Sequence, residues 1–142
     1  MKIDISQQYY TFELSDKSKK YCVTMTPFGI YQYNVLPMGV HCAPDFAQEQ
    51  MDEMFHDMDE TSTYIDDIVI CIMTWEQNIR SINKVLNRLG FNGFTVKPLK
   101  CEWVVQETDW LGYRLTPTGL KPWRKKIDAM LRIKPPPTTT KI

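Results

Sequence analysis

The segment Tyr64-Ile65-Asp66-Asp67-Ile68-Val69-Ile70-Cys71 plants two adjacent carboxylates in an otherwise apolar, β-branched run. Neighbouring acids in such surroundings lose hydration and repel each other unless something relieves them. A hairpin turn would do so by exposing both, since Asp is a good turn residue. A divalent cation such as Mg²⁺ would do so by neutralising both, since hard cations take carboxylate oxygens and keep positions open for phosphates. The spacing is compatible with either. A cation needs a further carboxylate, and Asp4 in the short β-branched segment Lys2–Ile5 is the obvious candidate. Successive strand side chains point to opposite faces, so Asp66 and Asp67 can aim at one point only if the chain turns there.

The elements that must position these acids follow from hydrophobic periodicity. Lys2–Ile5, Tyr21–Thr26 and Tyr31–Leu36 read as strands, Thr11–Leu14 as a further one, and Pro27-Phe28-Gly29 as a turn. Ala43–Met58 reads as a helix, with Ala43, Phe46, Ala47, Met51, Met54, Phe55 and Met58 on one stripe and Pro44 in its first turn. The stripe reads as core, and His56 lies off it. Thr63–Met73 is β-rich around the two acids. A second helix over Trp75–Leu89 places Trp75, Ile79, Ile82, Leu86 and Leu89 on one stripe, with Gly90 to end it. Phe94–Val96, Cys101–Val105 and Trp110–Leu115 are strand candidates, Thr116–Gly119 a turn, and Pro122 opens a helix to Ile133. Pro135-Pro136-Pro137 ends it, so residues 1–133 form the domain and 134–142 a linker. Hairpins with two long helices imply an α+β fold, an antiparallel sheet backed by two helices.

Several segments in order now carry a resemblance: Asp4 with an aromatic five residues on, Thr26-Pro27-Phe28-Gly29, Leu36-Pro37-Met38-Gly39, Ala43-Pro44-x-Phe46, Tyr64-Ile65-Asp66-Asp67, Lys100-Cys101 and Leu111-Gly112. Together they resemble the reverse transcriptase palm of gypsy-type long-terminal-repeat retrotransposons and retrovirus-related Pol polyproteins. The resemblance implies a polymerase palm with partial fingers and the start of a thumb. It also implies an RNA-directed DNA polymerase that adds dNTPs to a primer 3′-hydroxyl on an RNA or DNA template. Two Mg²⁺ ions, with Mn²⁺ as a substitute, would be bridged by Asp4 and Asp66, with Asp67 in a smaller role. Tyr9 would be the gate against a ribose 2′-hydroxyl. Pro37, Met38 and Gly39 would lie beside the incoming nucleotide, and Lys100 would protonate the pyrophosphate. Tyr64, Trp110, Leu111, Gly112 and Tyr113 would grip the primer. Gln7, Gln8 and Tyr10 depart from the commoner Lys/Arg-Ser-Gly-Tyr-His pattern, in which a glycine stands where Gln8 is.

The family usually carries a long fingers stretch before the first motif, and ribonuclease H and often integrase regions after the last. The chain therefore reads as a fragment, expected to bind primer–template weakly and to add nucleotides poorly by itself. The alternative is a catalytically incompetent remnant that binds nucleic acid or a partner. A cytoplasmic location in a virus-like particle, or a nuclear one, goes with the resemblance.

Composition agrees with a globular domain: 142 residues, 43% hydrophobic and 24% charged. The longest apolar run, Ile68–Met73, is far too short to span a membrane. The four cysteines have no zinc-ligand spacing and read as free buried thiols. Net charge is zero, yet residues 1–71 hold 4 Lys/Arg against 12 Asp/Glu, a net of −8, and residues 72–142 hold 13 against 5, a net of +8. Two attracting lobes would explain this, and so would a basic half facing a polyanion with a cation site in the acidic half.

Overall fold

The computed structural model describes residues 1–133; the linker expected at 134–142 lies outside them. They sort into two compact units, Met1–Trp103 and a second beginning at Val104.

In the first unit, β1 (Lys2–Ser6) alternates the fully buried Ile3 and Ile5 with Lys2, Asp4 and Ser6 on the other face. A 3₁₀ turn (Gln8–Thr11), α1 (Asp16–Lys19) and the hairpin of β2 (Val23–Thr26) and β3 (Gly29–Gln32) follow. Next come α2 (Ala43–Phe55), β4 (Thr61–Tyr64), β5 (Asp67–Ile70), α3 (Trp75–Phe91) and β6 (Thr95–Val96). The main sheet runs β4-β5-β1-β6, antiparallel throughout. Ile3 and Ile5 meet Ile68 and Ile70 of β5 on one face, and Met51, Phe55, Val85 and Leu89 from the two long helices cover them. Each such aliphatic side chain contributes roughly 1.5–3 kcal/mol by leaving water. The expected α+β class, an antiparallel sheet backed by two helices, is therefore what the chain forms.

Local chemistry explains each helix. In α2, Pro44 takes a first-turn position, and Ala43, Ala47, Met51 and Phe55, four residues apart, are buried. The helix stops at Phe55, and Met58 is buried in the turn beyond. In α3, the Thr74 hydroxyl caps by accepting from the Gln77 N–H. The buried stripe is Ser81, Val85 and Leu89, flanked by Ile82 and Leu86, while Trp75 and Ile79 are exposed. Gly90 does not end this helix. Gly93 does, at φ 78°, with the Gly93 N–H bonded to the Gly90 carbonyl and the Phe94 N–H to the Leu89 carbonyl. This is a Schellman closure, and Phe94 and Leu89 supply its apolar contact.

Other expectations shift for identifiable reasons. Thr11–Leu14 is no strand: the 3₁₀ turn takes its start, and Glu13 makes one isolated bridge to Val35. The third strand is Gly29–Gln32 rather than Tyr31–Leu36, because the turn pairs Thr26 with Gly29 and the Thr26 hydroxyl donates to the Gly29 carbonyl. Cys101–Val105 yields only a bridge from Lys2 to Glu102, since Val104 at φ 50° breaks extension. The four cysteines are free, as expected, but none is buried.

The second unit is a meander of β7 (Thr108–Trp110), β8 (Tyr113–Thr116) and β9 (Gly119–Pro122), followed by α4 (Arg124–Leu131). Pro122 closes β9, paired with Tyr113, instead of opening the helix.

One ion cluster joins α3 to the end of α2. The Arg88 guanidinium donates to both Asp57 carboxylate oxygens and to the Met54 carbonyl, and Lys84 lies 3.1 Å from Asp57. Hydrogen bonds from Arg88 and then Lys84 hold the Asp57 carboxyl well below its ordinary range. A depressed folded pKa adds stability that is complete above the unfolded value near 4 and is lost as pH falls below it. The thermal midpoint of the unmodified chain should therefore fall more steeply from roughly pH 4 to pH 2 than that of Asp57→Asn. Parallel curves in a scanning-calorimetry pH series would remove this role.

Candidate active site

The two-residue loop of the β4–β5 hairpin is Ile65-Asp66, closed by the pair Tyr64 and Asp67. Ile65 has φ 51°, whereas Asp66 is not in the positive-φ region. A positive φ at only the first central residue is the type II′ pattern, which normally takes glycine there. A β-branched residue in that conformation carries strain of order 1–3 kcal/mol and persists only if its surroundings over-determine it. Here they do so from both sides. The Ile65 N–H donates to Gln48 Oε1 at 2.7 Å, and the Ile65 carbonyl accepts from Gln8 Nε2 at 3.1 Å. Gln48 is itself held, its Nε2 donating to Asp52 at 2.7 Å and to Thr63 Oγ1 at 3.2 Å. The Asp66 carbonyl accepts from the Ile5 N–H at 2.8 Å, tying the turn to β1.

This turn brings the expected acids to one end of the sheet. Asp4 pairs in register with Asp67, and directly opposed residues of an antiparallel pair share a face. Lys2, two residues from Asp4, shares that face and lies 3.1 Å from the Asp67 carboxylate. Lys100 and Lys97 come within 3.7 and 4.0 Å of the two Asp4 oxygens. Asp66 is exposed on the turn. Tyr9 is half-buried, and burial first and the Asp66 charge second push its phenol pKa up. That second cause puts Tyr9 within electrostatic reach of Asp66. Pro37, Met38 and Gly39 form a turn with Gly39 at φ 95° and Met38 exposed. The turn is anchored where the Leu36 N–H donates to the Phe12 carbonyl at 2.9 Å, on the segment that leaves Tyr9. Tyr64 is exposed beside Asp67.

Trp110, Leu111, Gly112 and Tyr113 belong to the second unit. There Trp110 pairs with Tyr113 around Leu111 at φ 48° and Gly112 at φ 78°. Two positive φ values mark a type I′ hairpin, which favours glycine at the second position and strains Leu111 at the first.

The donor chemistry suits a hard divalent ion. Asp4 Oδ1 is buried without a hydrogen-bond partner, and carboxylate oxygens are the ligands Mg²⁺ prefers. Lys2 already neutralises Asp67, however, and among the described residues no three His, Cys, Asp or Glu side chains converge closely enough to hold an ion. Sequence reasoning missed Gln8, Gln48, Lys2 and Lys97.

A strained acidic hairpin docked on an inner strand of a helix-backed antiparallel sheet is the arrangement expected of a polymerase palm. Comparison with known proteins narrows this. Residues 1–115 match the family described as Reverse transcriptase (RNA-dependent DNA polymerase), and the chain belongs to that family. It is 33% identical over 121 residues to a putative enzymatic polyprotein of Cassava vein mosaic virus, covering 84% of this chain and 19% of that protein. It is 28% identical over 141 residues to the retrovirus-related Pol polyprotein from transposon 297 of Drosophila melanogaster, covering 98% and 13%. The chain thus spans less than a fifth of either relative. The fold matches the foamy viral protease-reverse transcriptase in complex with double-stranded DNA, at a TM-score of 0.88 and 22% identity, over 98% of this chain and 25% of that one. It also matches the same viral protein in complex with an RNA/DNA hybrid, at 0.84 and 21%, over 95% and 18%.

Replacing Gln48 by Leu should leave the Ile65 N–H without its partner. The expected loss of stability is about 1–3 kcal/mol, read as a lower urea midpoint with an unchanged slope. A loss within error of zero would show that the turn holds without it.

Proposed function

We propose that the chain is the catalytic palm of an RNA-directed DNA polymerase that joins dNTPs to a primer 3′-hydroxyl on an RNA or DNA template. The observation that supports this is the docking of the Ile65-Asp66 turn on β1, which sets Asp67 opposite Asp4, with Asp66 next to it on the turn and Lys100 3.7 Å from Asp4. Asp4 and Asp66 would hold two divalent cations, Mg²⁺ or Mn²⁺. When bound, those ions acidify the primer hydroxyl and offset charge on the leaving pyrophosphate. Asp67, in register with Asp4 and paired with Lys2, would take the smaller role. Lys100 supplies a proton to the leaving pyrophosphate. Tyr9 fills the space of a ribose 2′-hydroxyl. Pro37, Met38 and Gly39 bound the nucleotide pocket. Phosphoryl-type transfer depends mainly on such positioning and on electrostatic stabilisation.

In the second unit, the Trp110–Tyr113 hairpin would contact the primer; in the first unit, Tyr64 carries the same expectation. Lys121, Arg124, Lys125 and Lys126 would meet the duplex backbone, giving salt-dependent affinity without sequence preference. Arg114 is already engaged by Glu107 at 2.9 Å and is less free for this. The nucleic acids held by the viral proteins of like fold support a primer–template as partner. The polyprotein relatives suggest ribonuclease H and integrase regions in a parent protein. No helix among the described residues is long and apolar enough to cross a membrane.

The test is extension of a labelled primer on an RNA template with Mg²⁺ or Mn²⁺. It is run with the chain alone and with the chain joined to the flanking polymerase regions of a relative. Extension by the joined protein, absent in Asp66→Asn, is expected. Folded protein that binds primer–template yet shows no Asp66-dependent extension in either form would leave the non-catalytic remnant as the reading. In the extending form, Tyr9→Ala should lower discrimination against ribonucleotides by up to about a hundredfold while deoxynucleotide addition persists. Equal ribonucleotide use before and after the change would remove the gate.

A further inference from the structure

We propose that Gln8 is a positioning residue whose side-chain amide, opposite that of Gln48, holds the strained Ile65 peptide so that the Asp66 turn keeps its place on β1. This rests on reading Asp66 as a metal-binding acid, but its test reads the turn and not polymerisation.

Three observations converge on Gln8. Its Nε2 donates to the Ile65 carbonyl at 3.1 Å, across 57 residues of chain, while Gln48 accepts from the amide N–H of the same residue. Gln8 is only 4% exposed, and its Oε1 has no hydrogen-bond partner. A side chain chosen for packing alone would be apolar, since a half-satisfied buried amide carries a desolvation cost. The third observation is Gln7, at φ 52° without being glycine. That turn carries the chain out of β1 into the 3₁₀ turn that begins at Gln8. Two strained residues, Gln7 and Ile65, thus flank one hydrogen bond, and strained backbone persists only where neighbours fix it. Gln8 also adjoins Tyr9, so the bond links the turn bearing the aromatic ring to the turn bearing the acid. Where the commoner motif has glycine at this position, no side chain is available for the task.

The experiment is amide hydrogen exchange, followed by NMR, on the full chain. Gln8→Met and Gln8→Glu each remove the donor while keeping the length of the side chain. Each is made with Ile65 intact and with Ile65→Gly. With Ile65 intact, both variants should speed exchange at Ile5, whose N–H donates to Asp66, by about tenfold, as for loss of one ordinary hydrogen bond. Protection in the middle of α2 and α3 should stay unchanged. In the Ile65→Gly background the same variants should speed exchange by less than about threefold, because glycine takes positive φ without strain and needs less holding. Equal acceleration in both backgrounds would overturn the proposal, as would no acceleration. Protection lost uniformly across sheet and helices, with a lower unfolding midpoint, would make Gln8 a packing residue and overturn it as well. Primer extension bears on the polymerase reading alone. A coupled turn without extension would leave the clamp standing, and extension without coupling would remove only the clamp.

Discussion

The peptide of Ile65, bonded through its N–H to Gln48 and through its carbonyl to Gln8, is the constraint on which the site depends. A two-residue loop is the shortest connection that returns β5 beside β4, and it leaves no slack in the register. Sheet register has a period of two, so a slip by one residue would swap the faces of β5. Ile68 and Ile70 would leave the core, and Asp67 would leave the face it shares with Asp4 and Lys2. The short loop and the aliphatic core therefore specify the same register independently. The core alone would tolerate a longer loop, but a longer loop would not hold Asp66 against Ile5. Strain at Ile65 comes from a β-branched residue standing where so tight a turn normally takes glycine.

Charge is arranged on the same logic. Taken as halves, the sequence is −8 and +8. Part of that asymmetry is resolved inside the first unit, where Lys97 and Lys100 from the basic half reach Asp4, and Lys2 reaches Asp67. Cations beside carboxylates lower the repulsion that adjacent acids would otherwise impose on folding. Four of the remaining positive residues, Lys121, Arg124, Lys125 and Lys126, cluster in the second unit, with Asp128 two residues beyond. The attraction raised by composition is thus realised in part within the first unit.

How much of this was legible follows from the physics of each element. β1 and the β4–β5 hairpin were readable because Ile3, Ile5, Ile68 and Ile70 announce strands and the two acids announce a break. The α2 stripe was readable because its apolar residues recur at helical spacing. The stripe of α3 was misjudged by a rotation, since Trp75 and Ile79 are apolar yet exposed while the small polar Ser81 is buried, with its hydroxyl on Glu60 at 2.7 Å. Gly90 misled because helix glycine often marks an end, and Gly93, three residues on, has the left-handed φ that does so. The glutamine pair was hidden for a different reason: periodicity reports which side chains leave water, not which amide finds which carbonyl 57 residues away.

Core and site are finally one arrangement, and α2 joins them. Its buried residues Ala43, Ala47, Met51 and Phe55 fix how the helix lies on the sheet, with two alanines allowing close approach. Gln48 follows Ala47 directly, so its amide is aimed at Ile65 by the same packing that buries Ala47. The ion cluster of Asp57 with Arg88 and Lys84 then ties the far end of α2 to α3. Any change that shifts α2 along the sheet moves Gln48 with it and alters the turn that carries Asp66, even from a position far from the acids. Close-packed interiors transmit such shifts rather than absorbing them, so substitutions at Ala47 or Met51 act on the Asp66 turn as well as on stability.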